Sequence, residues 1–259
     1  MDDHNTNITK ANPVEGVYAI WWREFKVFLR EKPRIISVLV SPIIWFLVFS
    51  AGFGPSIKLE SFDYTLFLFC GVLVQTFLFS SLFYGAYLVW DRKIDVLKAV
   101  LVSPLSRAEI FIGKVLGGVT IAVIESTIFM LLGMLLGIQI APQAFALALL
   151  AVAFTAAGLC ALGLTVGSFM ESPEGFQLLS SLVLFPLYFL SGALFPVTNL
   201  TGILGLLAKI NPVTYIVDMI RGIITGITYF DMTTNISLVF VFLIASHAIG
   251  IWAFTRMKN

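Results

Sequence analysis

Glu125 is the residue of this 259-residue chain that most invites a chemical role. It lies midway along an apolar run, Ile110 to Ile138, with no cationic residue at its depth. An ionisable group in that setting is a functional candidate by default. Gln75 sits at similar depth in another run, so two readings stand. Glu125 is either a protonated carboxyl bonded to Gln75 or a backbone carbonyl, or a polar position on a transport path. Ion coupling through Glu125 would make the chain a secondary transporter, which calls for more charged or discontinuous helices near mid-membrane. Ser191-Gly192, with His247 in a later run, raises an intramembrane serine protease. That chemistry needs a Ser–His contact and an oxyanion site. Phe189 stands where such an enzyme would carry a glycine, and a kinked helix end accounts for Ser191-Gly192 without catalysis.

Other chemistries are excluded by spacing. Gly113-Lys114 is followed by Val115, and position 108 is Ala, so no P-loop is present to cradle ATP phosphates. Cys70 and Cys160 lie inside apolar runs and read as packing residues. His4 and His247 form no zinc spacing with them. A net charge of +1 recruits no nucleic acid. No cofactor is expected in this chain.

The elements that must position these residues are apolar helices. The chain is 59% hydrophobic and 12% charged, against about 25% charge in a soluble domain. Its mean hydropathy is +0.97. The expectation is an all-α integral membrane protein with six transmembrane helices. The runs are roughly Ile35 to Phe53, Tyr64 to Trp90, Ile110 to Ile138, Ala144 to Met170, Phe176 to Leu194 and Ile236 to Phe254. Each is long enough to cross a bilayer core, which needs about 20 helical residues. The first run begins too late, and lacks the small-residue site, for a cleaved signal peptide. With the amino terminus inside, 13 of the 16 basic residues fall on inner segments, and only Lys58, Lys209 and Arg221 fall outside. The positive-inside rule then places both termini in the cytoplasm.

Residues 1–33 form a polar tail and an amphipathic helix; residues 34–259 form the six-span domain. Asn12-Pro13 opens the amphipathic helix, on which Val14, Tyr18, Trp21, Phe25 and Phe28 recur at helical spacing. It reads as an interfacial helix on the membrane or as a helix packed on a partner. Between runs two and three, Asp91 to Val102 reads as a short helix with Ile94, Leu97 and Leu101 on one face. Ser103-Pro104 ends it, and Ser106-Arg-Ala-Glu109 is a capping box for the next span. Phe195 to Asn235 holds two apolar stretches divided by Asn211-Pro212, each too short to span. They read as short helices dipping into or lying on the outer face, with Asp218 and Arg221 at the spacing of a helical pair. Gly133-x-x-x-Gly137 and Gly163-x-x-x-Gly167 permit close helix approach.

Two stretches resemble the membrane subunit of type-2 ABC exporters, the family of drug-efflux and polysaccharide or lipo-oligosaccharide export permeases. One is Leu101-Val-Ser-Pro-Leu-Ser-Arg-Ala-Glu-Ile-Phe-Ile-Gly-Lys114. The other is Phe185-Pro-Leu-Tyr-Phe-Leu-Ser-Gly-Ala-Leu-Phe-Pro196, continuing to Asn211-Pro-Val-Thr-Tyr-Ile-Val-Asp-Met-Ile-Arg-Gly222. The resemblance implies a half-transporter in the cell (inner) membrane. It would pair with a second copy and with two ATPase subunits that bind ATP-Mg, and export a lipophilic drug or lipid-linked glycan. It also implies a coupling helix at 91–102, with Asp91, Arg92, Ile94, Leu97, Lys98 and Leu101 facing the ATPase or the lipid surface. Residues 195–235 would form an extracellular re-entrant hairpin. The sequence departs from the family pattern at Asn199-Leu200-Thr201 and at Asp91-Arg92-Lys93.

Overall fold

A computed structural model describes residues 12–54 and 63–257, without the side chains of Arg34, Ile35, Val38, Leu39 and Asn199. The tail with His4 and Lys10, the segment around Lys58, and Lys258 lie outside the described residues. Regular structure among the described residues is wholly helical. In order the helices are α1 (Pro13–Arg30), α2 (Lys32–Phe53), α3 (Tyr64–Phe83), α4 (Gly85–Lys93), α5 (Val96–Leu101) and α6 (Arg107–Leu135). Then come α7 (Pro142–Phe169), α8 (Pro173–Phe189), α9 (Gly202–Ile210), α10 (Pro212–Thr225) and α11 (Met232–Arg256).

Among the described residues, four helical stretches are long and apolar enough to cross a membrane. They are Tyr64–Lys93, in which α3 runs on into α4, and α6, α7 and α11, of 30, 29, 28 and 25 residues. At about 1.5 Å per residue each exceeds a hydrocarbon core of about 30 Å. α9 and α10 reach that measure only as a pair bent by 75°. The expected first and fifth spans are shorter: the apolar part of α2 is Val40–Phe53, and α8 has 17 residues. By length the described residues thus hold four long apolar helices and a bent pair.

Local chemistry sets the helix ends. Ser106 accepts from Glu109 N at 3.2 Å while the Glu109 carboxylate accepts from Ser106 N at 3.0 Å, the reciprocal cap expected from the sequence. Asn12, Ser172, Asn211 and Asp231 cap α1, α8, α10 and α11 with their side chains. Inside the bundle Thr76, Thr155 and Thr165 donate to carbonyls of the preceding turn, which satisfies hydroxyls where no water is at hand.

α3 is the axis: Leu68, Phe69, Cys70, Leu73, Val74 and Phe77 are fully buried. Around it, α2, α8 and α11 turn Ile36, Val48, Leu178, Leu182, Phe240 and Val241 outward. Apolar faces of that extent on the outside of a bundle are what lipid contact requires. α7 approaches α3–α4 backbone to backbone. A Cβ on Gly163 would collide with the carbonyl of Leu82, and one on Gly85 with the carbonyl of Gly163. Gly163-x-x-x-Gly167 is therefore a packing seam. Gly137 is not: it lies past the end of α6 at φ +97°, a left-handed helix stop.

This seam yields a prediction. Gly163→Val should force α7 off α3–α4 and lower thermal stability in detergent by about 1–3 kcal/mol or more. Gly52→Ala, at a helical site with open space, should leave stability equal or raise it by about 0.5–1 kcal/mol. Equal melting temperatures for wild type and Gly163→Val would refute the close approach.

Candidate functional site

The end of the bundle that carries α5 is organised by buried charge. Lys114, seven residues into α6, is fully buried. Its ammonium donates to Glu24 Oε1 at 2.9 Å and to Asp91 Oδ2 at 2.6 Å. Arg23 reaches Glu24 Oε1 at 2.6 Å and Asp91 Oδ1 at 3.2 Å, and the Tyr84 hydroxyl donates to Glu24 Oε2 at 2.7 Å. Two cations thus face two carboxylates contributed by α1, α4 and α6. A buried ion costs several kcal/mol unless geometry and hydrogen bonds compensate, and here every carboxylate oxygen has a donor. Burial opposes ionisation of Glu24, yet the Lys114 ammonium, the Tyr84 hydroxyl and the Arg23 guanidinium hold its carboxyl below its ordinary value.

Glycines make room for this cluster. A Cβ at Gly113 would lie 2.6 Å from Ile20 Cβ, and one at Gly117 would lie 2.6 Å from Glu24 Cβ. α1 therefore sits in a groove of α6, with Gly16, Ile20, Glu24 and Phe28 buried at four-residue spacing. Of the face expected from sequence, Phe28 turns inward, Trp21 and Phe25 are half-buried, and Val14 and Tyr18 are exposed. Trp21 is fixed by a 2.9 Å bond from Nε1 to Thr120. Sequence reading missed Glu24, Tyr84 and the Gly113–Gly117 pair, and counted Lys114 only as an inner charge. The available signals were a glycine pair one turn apart and a lysine within an apolar run.

The expected helix over 91–102 is broken in two. Asp91, Arg92 and Lys93 end α4, Asp95 takes a left-handed turn at φ 58°, and α5 starts at Val96. Asp91 belongs to the ion cluster. Arg92 donates to the carbonyls of Met170 at 3.0 Å and Ser168 at 3.1 Å, tying α4 to the end of α7. The expected apolar face also divides. Leu97 is 2% exposed and Leu101 leans on the same core, so both seat the loop on its own bundle. Ile94 points outward at 61% exposure and Val102 at 86%, flanked by the exposed Asp95–Lys98 pair at 2.7 Å.

Glu125 is buried on the α6 face that also carries Gly118, Ala122, Phe129 and Gly133. Gln75 accepts from the Tyr188 hydroxyl at 3.2 Å. The Ser191 hydroxyl donates to the Tyr188 carbonyl at 2.6 Å, and His247 Nδ1 lies 2.9 Å from the Leu243 carbonyl of its own helix. Each is engaged by local backbone, as a helix end and a helical histidine would be.

At the far end, Asn211 and Pro212 form the bend. Asn211 caps α10 through Val213 N at 2.9 Å and donates to the Leu187 carbonyl at 2.6 Å, tying the hairpin to α8. The expected Asp218–Arg221 pair does not form. Asp218 instead accepts from the backbone of Tyr229 and Phe230 at 2.7 and 2.8 Å and from Asn235 at 2.8 Å. Arg221 donates to the Gly192 carbonyl at 2.8 Å and stacks 3.8 Å over the Phe67 ring. Each ion thus binds a separate loop to the bundle, which spacing along one helix could not reveal.

Lys114→Met should leave Glu24 and Asp91 sharing Arg23 as their remaining cation and cost about 3–5 kcal/mol. Adding Glu24→Gln should recover part of that, because Arg23 and Asp91 remain a neutral pair. The Glu24 contribution is complete above its ordinary value near 4.5 and falls away as pH drops through the lower folded value. Melting curves in detergent across that range check both points: Glu24→Gln should lack the acid-dependent loss attributable to this carboxyl.

Comparison with known proteins bears on this architecture. Residues 15–225 match the ABC-2 type transporter family. Nodulation protein J of Rhizobium leguminosarum bv. viciae is 25% identical over 230 residues, covering 87% of this chain and 88% of its own. The daunorubicin resistance ABC transporter permease protein DrrB1 of Streptomyces coeruleorubidus is 24% identical over 222 residues, covering 84% and 77%. The protein ycf38 of Cyanophora paradoxa is 28% identical over 229 residues, covering 85% and 77%. With the family matching most of its length, from the helix that seats Glu24 to the end of the hairpin, this multi-pass membrane chain belongs to the ABC-2 type transporters.

Proposed function

We propose that the chain is the permease half of an ATP-binding cassette exporter. It pairs with a second copy and is driven by two separate ATPase subunits that bind ATP-Mg. The observation that carries this reading is the family match over 15–225 in an all-helical apolar bundle whose Gly113-Lys114 is a helix-packing site, not a phosphate loop. α2 and α8 complete six crossings by drawing on local thinning of the bilayer and on flanking residues that reach to the interface. Both termini lie in the cytoplasm of the cell membrane, which puts α1 and α5 inside and the α9–α10 hairpin outside. Lipid surrounds the apolar outer faces, and Glu125 and Gln75 remain candidates for the transport path.

In this reading the ATPase docks on the knob made by Ile94, Lys98 and Val102. Force applied there passes through α4 to Asp91 and hence to α1 and α6, while Arg92 carries it to α7. Leu97 supports the knob from beneath.

Ile94→Asp should abolish recovery of the ATPase subunit in pull-down from membranes while leaving the permease folded. Leu97→Asp should instead lower the yield of folded permease, because a carboxylate in that core is unpaired. Full ATPase recovery with Ile94→Asp and Val102→Asp combined would refute docking at the knob. Topology has its own check. Cysteines placed at Val102 and Lys209 in intact cells should label only at 209 with an impermeant reagent, since Cys70 and Cys160 are buried.

A further inference from the structure

A crevice of about 630 Å³ opens on the side of the bundle between α6, α7 and α11. α6 and α11 meet at Phe111, whose ring would collide with a Cβ on Gly250 and lies edge-on to His247. Past that contact the two helices part, and Leu116, Leu150, Phe154, Leu243 and Ile244 line the gap. The volume is within the about 300–1,000 Å³ usual for small-molecule sites. His247 is the one polar side chain on the wall, and its Nδ1 is engaged by the Leu243 carbonyl of its own helix. A surface of this kind suits a hydrocarbon chain.

An apolar wall alone would not choose among lipids; the charge at its end does. Ile244 and Ala248 line the crevice, and Trp252 and Arg256 continue the same i, i+4 row along α11. Arg256 is exposed, stacks 4.6 Å from the centroid of the Trp252 ring, and has no carboxylate partner among the described residues. Two more exposed tryptophans at this end carry a cation in the same way, Trp22 with Lys26 and Trp90 with Lys93, both at 5.1 Å. Lys93 is also paired with Glu174 at 3.6 Å, whereas the Arg256 pair adjoins the crevice. Indoles and basic head groups at one level mark the polar boundary of a bilayer. From Arg256 to Ile244 is 12 residues of helix, about 18 Å, close to the about 15 Å depth of one leaflet. A lipid held by its head at Arg256 can therefore lay a chain in the crevice. The free carbonyls at the end of a helix would normally repel an anion. Here Arg107 donates to the carbonyls of Met257 at 2.6 Å and Phe254 at 3.4 Å, which covers that end with a second guanidinium.

We propose that the crevice and Arg256 together form a site for one anionic phospholipid of the leaflet at the α5 end. Its phosphate rests on the Arg256 guanidinium and an acyl chain fills the gap between α6 and α11. The lipid is a resident partner of the fold, not cargo, so the site stands or falls independently of the permease reading. The test uses the full chain in phosphatidylcholine nanodiscs with a trace of phosphatidylglycerol that carries a diazirine in its tail. Phosphatidylcholine with the same tail is the control, and adducts are mapped by peptide mass spectrometry after irradiation. Adducts on the crevice residues should be about fivefold more frequent with phosphatidylglycerol, the worth of one interfacial basic residue. Unlabelled phosphatidylglycerol should compete, and glycerol 3-phosphate, which has the phosphate without a tail, should not. Arg256→Gln should bring labelling by phosphatidylglycerol down to the control level, and Arg256→Lys should keep most of the preference. Ala153→Phe, which fills the crevice from α7, should lower labelling there by both lipids. Equal labelling by the two lipids, or an undiminished preference in Arg256→Gln, would overturn the proposal. Competition by glycerol 3-phosphate would do the same, by making the site one for free phosphate. Disulfide trapping of Ala153→Cys between two copies, with no lipid adducts in the crevice, would assign this face to a second copy instead.

Discussion

The buried ammonium of Lys114 is the constraint on which the rest of the α5 end depends. A cation with no exposed surface demands counter-charge, and α1 and the tip of α4 supply it. Glu24 must therefore be brought to α6, which requires glycines at 113 and 117 and a helix whose buried face reads Gly16, Ile20, Glu24, Phe28. Asp91 must end α4 beside the same point, which fixes where the chain breaks before α5. Arg23 and Tyr84 complete the set, and the local charge sums to zero. One ionic contact thus joins three segments that are far apart in sequence, and it does so next to the surface where the proposed energy source would act.

The opposite end uses polar groups differently. There, Asp218 and Arg221 form no direct ion pair. Asp218 gathers backbone N–H groups of the turn before α11, and Arg221 reaches the carbonyl of Gly192. Irregular backbone inside or beside a bilayer has to be satisfied by protein, and these two side chains do that for the loops on either side of α10. Asn211 does the same for the end of α8. The hairpin is therefore anchored at its α10 half, while α9 keeps Ile203, Leu206 and Ile210 exposed.

Between these ends the bundle pairs close backbone packing with a polar wall. α7 presses on α3–α4 through Gly163 and Gly85, which makes that side of the axis stiff. The α2–α8 side is held by side chains and leaves a groove around Gln75.

By itself the sequence determined the class of protein. Apolar runs of membrane-crossing length, few charges and a biased distribution of lysine and arginine admit little besides a helical membrane bundle, because every backbone polar group must be paired within its own segment. Short-range chemistry was equally legible. The Asn12 and Ser106 caps, the stop before Pro104 and the break at Asn211-Pro212 depend on neighbours within a few residues. Tertiary structure alone decided which charges meet. Asp218 and Arg221 looked like partners because helical spacing brings them near, but the loops that claim them lie 11 or more residues away. Leu97 looked like a docking residue because periodicity gives a face without saying what covers it, and its own core covers it. Glu24 and Lys114 are separated by 90 residues, and their contact exists only once two glycines let one helix lie in another. Long-range pairing of buried charge depends on three-dimensional proximity, and no local pattern in the chain encodes it.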